Sequence, residues 1–384
     1  MLRLPTDDGD QISWSPSYRI PIEPAPGGFT SRTAYAAAHV VADPNRDQAR
    51  DAEPPIDWET TLSFRRHLWS LGFGVAEAMD TAQRGSGVGW DTAKELIRRT
   101  ATEARRLSGQ AVYGAMTDQL EPGRRPTLMD IAQAYREQVA FIEAQGGNAI
   151  LMCSRHLAVV ASAPGDFTTV YDDVISAASR PVMIHWLGEA FDPDLAGYWG
   201  SPDSRQAAST VLALIKSHPG KVLGLKLSLL DADLEVDMRR EMPDDTTMFT
   251  GDDLNFVDLI LGDAAGHSDA LLGVFDPIAP VAAAALQALD RGDAAAYRSL
   301  LEPTIPMARH LFSIPTFHYK TGVVFLAYLN GFQDNFRMVG GAESARSLPH
   351  LARLVVLADE AGLLARPDLA EQRMGLILDL GGAS

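Results

Sequence analysis

One stretch of this chain joins a reactive side chain to a pattern that fixes where it points. Val222-Leu-Gly-Leu-Lys-Leu-Ser-Leu229 alternates between leucine and other residues. Successive side chains of a strand face opposite sides. Leu223, Leu225, Leu227 and Leu229 therefore share one face, and Val222, Gly224, Lys226 and Ser228 the other. Four leucines belong under a layer of helices, so the lysine must look inward. An interior ammonium is expensive unless it is paired or loses its proton. Desolvation lowers its pKa and enriches the free amine. A free amine in a shaped cavity can attack a carbonyl and form an imine. The competing reading is a structural ion pair with an interior carboxylate. Small neighbours, Gly224 and Ser228, leave space for a substrate and favour the amine.

Further polar residues collect where apolar runs end: His39, Asp80, Thr81, Thr117, Asp118, Arg155, His156, His185, Asp252 and Asp253. His185 ends an apolar run, and an imidazole can shuttle protons near neutral pH. Its plainer role is a hydrogen bond inside the protein. Arg155 suits a carboxylate or phosphate clamp, or a salt bridge to Asp252 or Asp253. Asp80, His156, His185, Glu189 and His267 include metal-ligating types, but no H-x-H or H-E-x-x-H spacing joins them, and neither metal nor cofactor is expected. Arg84-Gly-Ser-Gly-Val-Gly89 lacks the lysine of a phosphate loop and reads as a mobile loop, with Asp91 capping the helix beyond it. His318, Tyr319 and Lys320 read as structural support; Trp69, Tyr297 and Phe312 read as packing.

Short apolar runs alternate with long amphipathic segments to position these groups. Eight strands are expected: 33–41, 74–79, 110–116, 149–153, 181–186, 222–229, 247–250 and 270–275. Helical segments follow most of them, with a short one between the sixth and seventh. Alternation of this kind implies parallel strands with right-handed crossovers, and eight in a row imply a closed (β/α)₈ TIM barrel. An open doubly wound sheet is the runner-up, but residues 42–50 hold no glycine for a phosphate turn. Residues 1–30 read as an irregular N-terminal arm, 31–299 as the barrel and 300–384 as a C-terminal helical appendage.

Composition narrows the partners. The 384 residues carry a formal charge of −17, which disfavours nucleic acid and anionic membranes. Five Arg-Arg pairs, starting at 65, 98, 105, 124 and 239, are scattered and read as solvated helix faces. A single cysteine, Cys153, suits a reducing cytoplasm. The N-terminal residues lack an apolar signal core, and no apolar run approaches the ~20 residues of a membrane span.

The motifs, in their order, resemble the dihydrodipicolinate synthase / N-acetylneuraminate lyase family of class I Schiff-base aldolases. Gly224-Leu-Lys226 matches its lysine strand, Pro181-Val-Met-Ile-His-Trp-Leu-Gly188 its fifth strand and Thr250-Gly-Asp-Asp253 the end of its seventh. Gly266-His267 and Pro315-Thr-Phe-His-Tyr-Lys320-Thr-Gly have counterparts too. The resemblance covers roughly 31–330. It implies the barrel, imine chemistry on Lys226 and a homo-oligomer, dimer or tetramer. It also implies departures. The family's carboxylate-binding turn is Met79-Asp-Thr-Ala-Gln83 here, so Asp80 stands beside the retained Thr81 and would repel a substrate carboxylate. The catalytic tyrosine of the fifth strand aligns with His185, and a second tyrosine falls near His156 or Leu157.

The resulting expectation is a lyase, aldolase or dehydratase, acting on a small carbonyl substrate derived from a carbohydrate. Lys226 forms the imine and His185 moves protons. Asp80, Thr81, Arg155, His156, Gly251, Asp252 and Asp253 bind the substrate. The alternatives are a metal-dependent sugar isomerase, epimerase or retro-aldolase, and a non-catalytic ligand-binding barrel.

Overall fold

The computed structural model describes residues 1–19, 21–25, 27–47, 53–121, 123 and 125–383. Its N-terminal arm starts with a hairpin. Strand β1 (Leu2–Pro5) pairs antiparallel with β2 (Gln11–Trp14), and Gly9 supplies the positive φ of the turn. Leu4 and Trp14 are buried, and Trp14 Nε1 donates to Asp359 Oδ2 at 3.2 Å on the helix Leu348–Glu360. The irregular reading missed alternating Leu2, Leu4, Ile12 and Trp14 among prolines and aspartates.

The eight expected strands form the eight-stranded barrel. They are β3 (Ala34–Ala37), β4 (Gly74–Glu77), β5 (Ala111–Ala115), β6 (Asn148–Leu151), β7 (Val182–Leu187), β8 (Val222–Ser228), β9 (Thr247–Thr250) and β10 (Asp269–Leu272). All neighbouring pairs are parallel, and β10 closes onto β3. Helices cross between them, several with side-chain caps: Asp57 accepts from Thr60 N–H, Thr127 forms a capping box with Asp130, and Asp231 accepts from Leu234 N–H. The short helix after β8 spans Ala232–Glu241. Asp91 is not a cap: its helix, Trp90–Leu107, starts from Gly89 without one. No helix among the described residues is long and apolar enough to cross a membrane.

Two apolar layers meet at the strands. Tyr35, Ala37, Ala76, Val112, Ile150, Met183, Phe249 and Leu271 fill the barrel interior. Leu225 and Leu227 point the other way, into the core under the helices. The alternation of β8 holds from Gly224 onward and fails before it. Val182 pairs with Val222, but Met183 pairs with Gly224, so Leu223 is an extra residue. Such a bulge swaps faces: Leu223 is 39% exposed, and Val222 joins the outer core instead.

A buried ion pair fixes the end of β4. Arg65 grips both Glu77 oxygens at 2.9 Å, and Thr100 Oγ1 donates to Glu77 at 2.7 Å. Arg65 is therefore not on the solvated face read for the Arg65-Arg66 pair; it is fully buried, because Glu77 on the strand neutralises it. Arg124 lies outside the described residues. Beyond the barrel come the helices Ala294–Leu301, Ile305–Leu311, Tyr319–Leu329, Leu348–Glu360 and Pro367–Leu380. Every residue of Tyr319–Leu329 is buried, and its first turn reaches the carboxyl ends of the barrel strands.

Candidate active site

Lys226 lies on the inward face of β8, between His185 of β7 and Phe249 of β9 in the strand register. Its residue is 5% exposed. Among the described residues no hydrogen bond, and no carboxylate within 4 Å, engages its ammonium. Burial lowers its pKa, and Asp80 and Asp253 act against that shift without cancelling it. Gly251 leaves room for its stem, and Gly224 for the ring of Phe249 beside it. A Cβ on Gly251 would stand 2.9 Å from Lys226 Cε and 2.1 Å from Ser228 Oγ, and one on Gly224 would stand 2.6 Å from the Phe249 ring.

The turn after β4 brings two expected residues to the same place. Ala78 at φ 56 and a tight turn at Asp80–Ala82 lift Asp80 and Thr81 over the barrel end. There they meet Tyr319. The phenol donates to Asp80 Oδ2 at 2.7 Å and lies 2.7 Å from Thr81 Oγ1, which must donate in return. Burial pushes the Asp80 pKa up, but Lys226, Lys320 and the Tyr319 hydrogen bond together hold it below the ordinary value. Burial raises the Tyr319 pKa far above normal, with Asp80 adding to it, so the hydroxyl keeps its proton.

Tyr319, read as structural support, exerts it through these bonds to Asp80 and Thr81. It belongs to the helical appendage yet completes the strand-end cluster. Phe312, read as packing, stacks on the Tyr319 ring with centroids 4.6 Å apart, and Phe191 meets it edge-on. Lys320, the next residue, is also buried. A phenol and an ammonium in sequence ahead of the apolar run Gly322–Leu329 were the available signal.

His185 is fully buried beside Lys226. Its Nε2 lies 3.2 Å from Ser228 Oγ, and its Nδ1 has no hydrogen-bond partner. Burial, then the lysine charge, pushes its pKa well below normal, so it is a neutral imidazole at neutral pH. Asp253 accepts the Val274 N–H at 2.7 Å. Burial pushes its pKa up to about 8, so it holds a proton at neutral pH.

Other expected residues are placed elsewhere. Asp252 is taken up by its own turn: Oδ1 accepts from the N–H groups of Leu254 and Asn255, and Oδ2 from Asn255 Nδ2. Its carboxylate is thus engaged by its own turn. Arg155 pairs with neither Asp252 nor Asp253. It bonds Asp192 at 2.7 Å and the Gly85 carbonyl at 3.3 Å. His156 Nδ1 lies 3.1 Å from Thr117 Oγ1, which also bonds Ser154. Arg155, His156, Thr117 and Asp118 line a cavity of about 430 Å³ with the glycine loop, and Lys226 is not in its wall. The loop read as mobile is tied down. Gln83 exchanges two hydrogen bonds with the backbone of Val339, at 2.9 and 3.1 Å, and Arg84 is buried against Asp118.

His39 is held between Asp276 at 2.7 Å and Gln333 at 3.1 Å, and Asp276 Oδ1 is buried without a hydrogen-bond partner among the described residues. His267 is half-exposed beside Asp269. Among the described residues no three His, Cys, Asp or Glu side chains gather as a metal-binding group.

The barrel is similar to several solved structures. One is YagE, a prophage protein of the dihydrodipicolinic acid synthase family from E. coli K12 in complex with pyruvate: TM-score 0.67, 15% identity, covering 87% of this chain and 99% of that one. Another is dihydrodipicolinate synthase from Aquifex aeolicus: TM-score 0.65, 12% identity, 87% and 99% coverage. The Oceanobacillus iheyensis dihydrodipicolinate synthase gives 0.63, 13%, 85% and 95%. At these identities the likeness establishes the TIM-barrel fold. No curated protein matches the chain. Residues 2–383 match the model of the family described as "Protein of unknown function (DUF993)", and the chain belongs to that family.

Proposed function

We propose that this chain is a Schiff-base-forming lyase, an aldolase or dehydratase, acting on a carbohydrate-derived keto compound. The observation that carries the reading is Lys226: a buried lysine inside the barrel, with no carboxylate within 4 Å of its amine among the described residues and with its stem packed against Gly251, where no side chain stands.

The free amine adds to the carbonyl carbon and gives a carbinolamine. A proton delivered to its hydroxyl lets water leave and a protonated imine form, which withdraws electrons from the adjacent carbon. In aldol cleavage a base takes the proton of the β-hydroxyl, the carbon–carbon bond breaks, and its electrons form an enamine. In dehydration the base takes the α-proton and the β-hydroxyl leaves with a proton from an acid. Asp80, held ionised and linked to Tyr319 and Thr81, is the base best placed by charge. Asp253, protonated at neutral pH, can donate. Neutral His185 can accept a proton beside Lys226 and shuttle it during carbinolamine collapse. A carboxylate at Asp80 suits the hydroxyl groups of a sugar-like substrate. Arg155 and His156, on the wall of the cavity beside the glycine loop, are the further groups this reading assigns to substrate binding.

Borohydride reduction in the presence of keto sugars and keto acids, followed by peptide mapping, tests this. A stable adduct on Lys226, absent in Lys226→Ala, is the expected result. No adduct with any of the panel, or one on another residue, refutes it.

A further inference from the structure

Lys320 is a second lysine at this barrel mouth, and the imine scheme does not use it. Its residue is 5% exposed. The ammonium donates to the Phe317 carbonyl at 3.1 Å and sits 4.3 Å from the Phe317 ring and 4.8 Å from the Tyr319 ring. No carboxylate among the described residues comes within 4 Å of it. An ammonium has three N–H donors, so most of its donor capacity is unspent. It also occupies the first turn of the helix Tyr319–Leu329, the end where a positive charge is disfavoured. A buried cation at the positive end of a helix, with one neutral acceptor, is costly for the free protein.

The surroundings say what would offset that cost. Burial lowers the Lys320 pKa; Asp80 and Asp192 act against that and favour the ammonium, and Arg155 adds to the lowering. Arg155 and Asp192 are bonded to each other at 2.7 Å and cancel. Once Lys226 is a protonated imine, two positive charges, Lys226 and Lys320, face the single carboxylate of Asp80. One positive charge is left over. A monoanion balances it, whereas a phosphate dianion overshoots. Asp80 acts on Lys226 more strongly than on Lys320. A carboxylate attached directly to the carbonyl carbon would therefore stand against Asp80, and one farther along the substrate would not.

We propose that Lys320 is an anion-binding residue of this site, holding a substrate carboxylate separated from the carbonyl carbon by at least one further carbon. This rests on the imine reading of Lys226 and narrows the substrate to an oxo acid of that kind.

The test titrates borohydride labelling of Lys226 with levulinate and with levulinamide, its neutral analogue. In the wild type levulinate should label half the protein at a concentration about 10- to 100-fold lower, the range of a hydrogen bond between charged groups. Lys320→Gln should bring the two probes together, and Lys320→Arg should keep the preference. Lys320→Met, which keeps the stem and drops the charge, replaces the glutamine variant if that does not fold. Equal labelling in the wild type, or a preference that survives Lys320→Gln, overturns the proposal. If neither probe labels Lys226, the imine reading fails, and calorimetry with butyrate, a monoanion, judges Lys320 alone. Binding to wild type and Lys320→Arg but not to Lys320→Gln supports the site; equal heats in all three, or none, overturn it.

Discussion

One methyl group at Gly251 should stop the chemistry of Lys226 while leaving a barrel. Gly251 does not adopt a positive φ, so backbone freedom is not why it is glycine. The reason is contact. An added Cβ would stand 2.1 Å from Ser228 Oγ and 2.9 Å from both the Leu227 carbonyl oxygen and Lys226 Cε. The Leu227 oxygen cannot turn away, because it accepts the Gly251 N–H at 2.8 Å. Ser228 can turn, but only by giving up its 3.2 Å contact with His185 Nε2. His185 Nδ1 already lacks a partner, so both ring nitrogens would then be unpaired inside the barrel. Forced packing costs about 1–3 kcal/mol, and the lost buried hydrogen bond a further ~1–3 kcal/mol. Lys226 must also give way, and a displacement of about 1 Å at a reacting group costs roughly 100-fold in rate. The assay is the rate of borohydride labelling on Lys226 beside thermal denaturation. Gly165→Ala is the control: the same methyl, in the helix Pro164–Ala177, with nothing within 4 Å. That variant should match the wild type or melt slightly higher. Gly251→Ala should melt lower and label about 100-fold more slowly. Labelling at the wild-type rate would refute the idea that Gly251, Ser228 and Lys226 share one packed cell.

Two other perturbations report on charge. Asp80→Asn keeps an acceptor for the Tyr319 hydroxyl but removes the carboxylate that raises the Lys226 pKa. The pH profile of labelling should therefore move to lower pH, while turnover falls by about 100-fold through loss of the base; a profile displaced upward would contradict the assignment. Glu235 is buried against Ser268, and burial pushes its pKa up to about 8 from 4.5. The native state keeps a proton that the unfolded chain releases, so wild-type stability is lost as pH rises between those values. Glu235→Gln should be more stable by about 3 kcal/mol at pH 7 and by nothing near pH 4, read by urea denaturation at both; a gain independent of pH would show that the shift is not the cause.

The fold was legible because periodicity survives wherever one face of a strand is buried. All eight barrel strands follow from short apolar runs between amphipathic segments, and the inward face of Lys226 follows from Leu225 and Leu227 alone. What periodicity cannot register is an inserted residue: nothing in Val222-Leu223-Gly224 announces the bulge, which appears only in the pairing with Val182 and Met183. Arg65 shows a related blindness. Its partner Glu77 is twelve residues away on another element, and a charge whose partner is not local reads as exposed until the two are seen together.

The site divides along the same line. Lys226, His185, Asp80, Thr81, Gly251 and Asp253 sit at or just beyond the ends of barrel strands, so the strand pattern itself brings them together. Asp252 shares that position, but its carboxylate is engaged by the nearest backbone N–H groups of its own turn, as is common for a carboxylate at the start of a turn. Tyr319 and Lys320 were missed for the opposite reason. They lie far along the chain in a helix buried on every side, where an apolar pattern says only that something covers it. Their role depends on which barrel end that helix meets, and the Tyr319 bonds to Asp80 and Thr81 answer that. The consequence is directional: on the proposed imine chemistry, with Lys320 as the anion-binding residue, substitutions that loosen the packing of Tyr319–Leu329 should change substrate preference before they unfold the barrel.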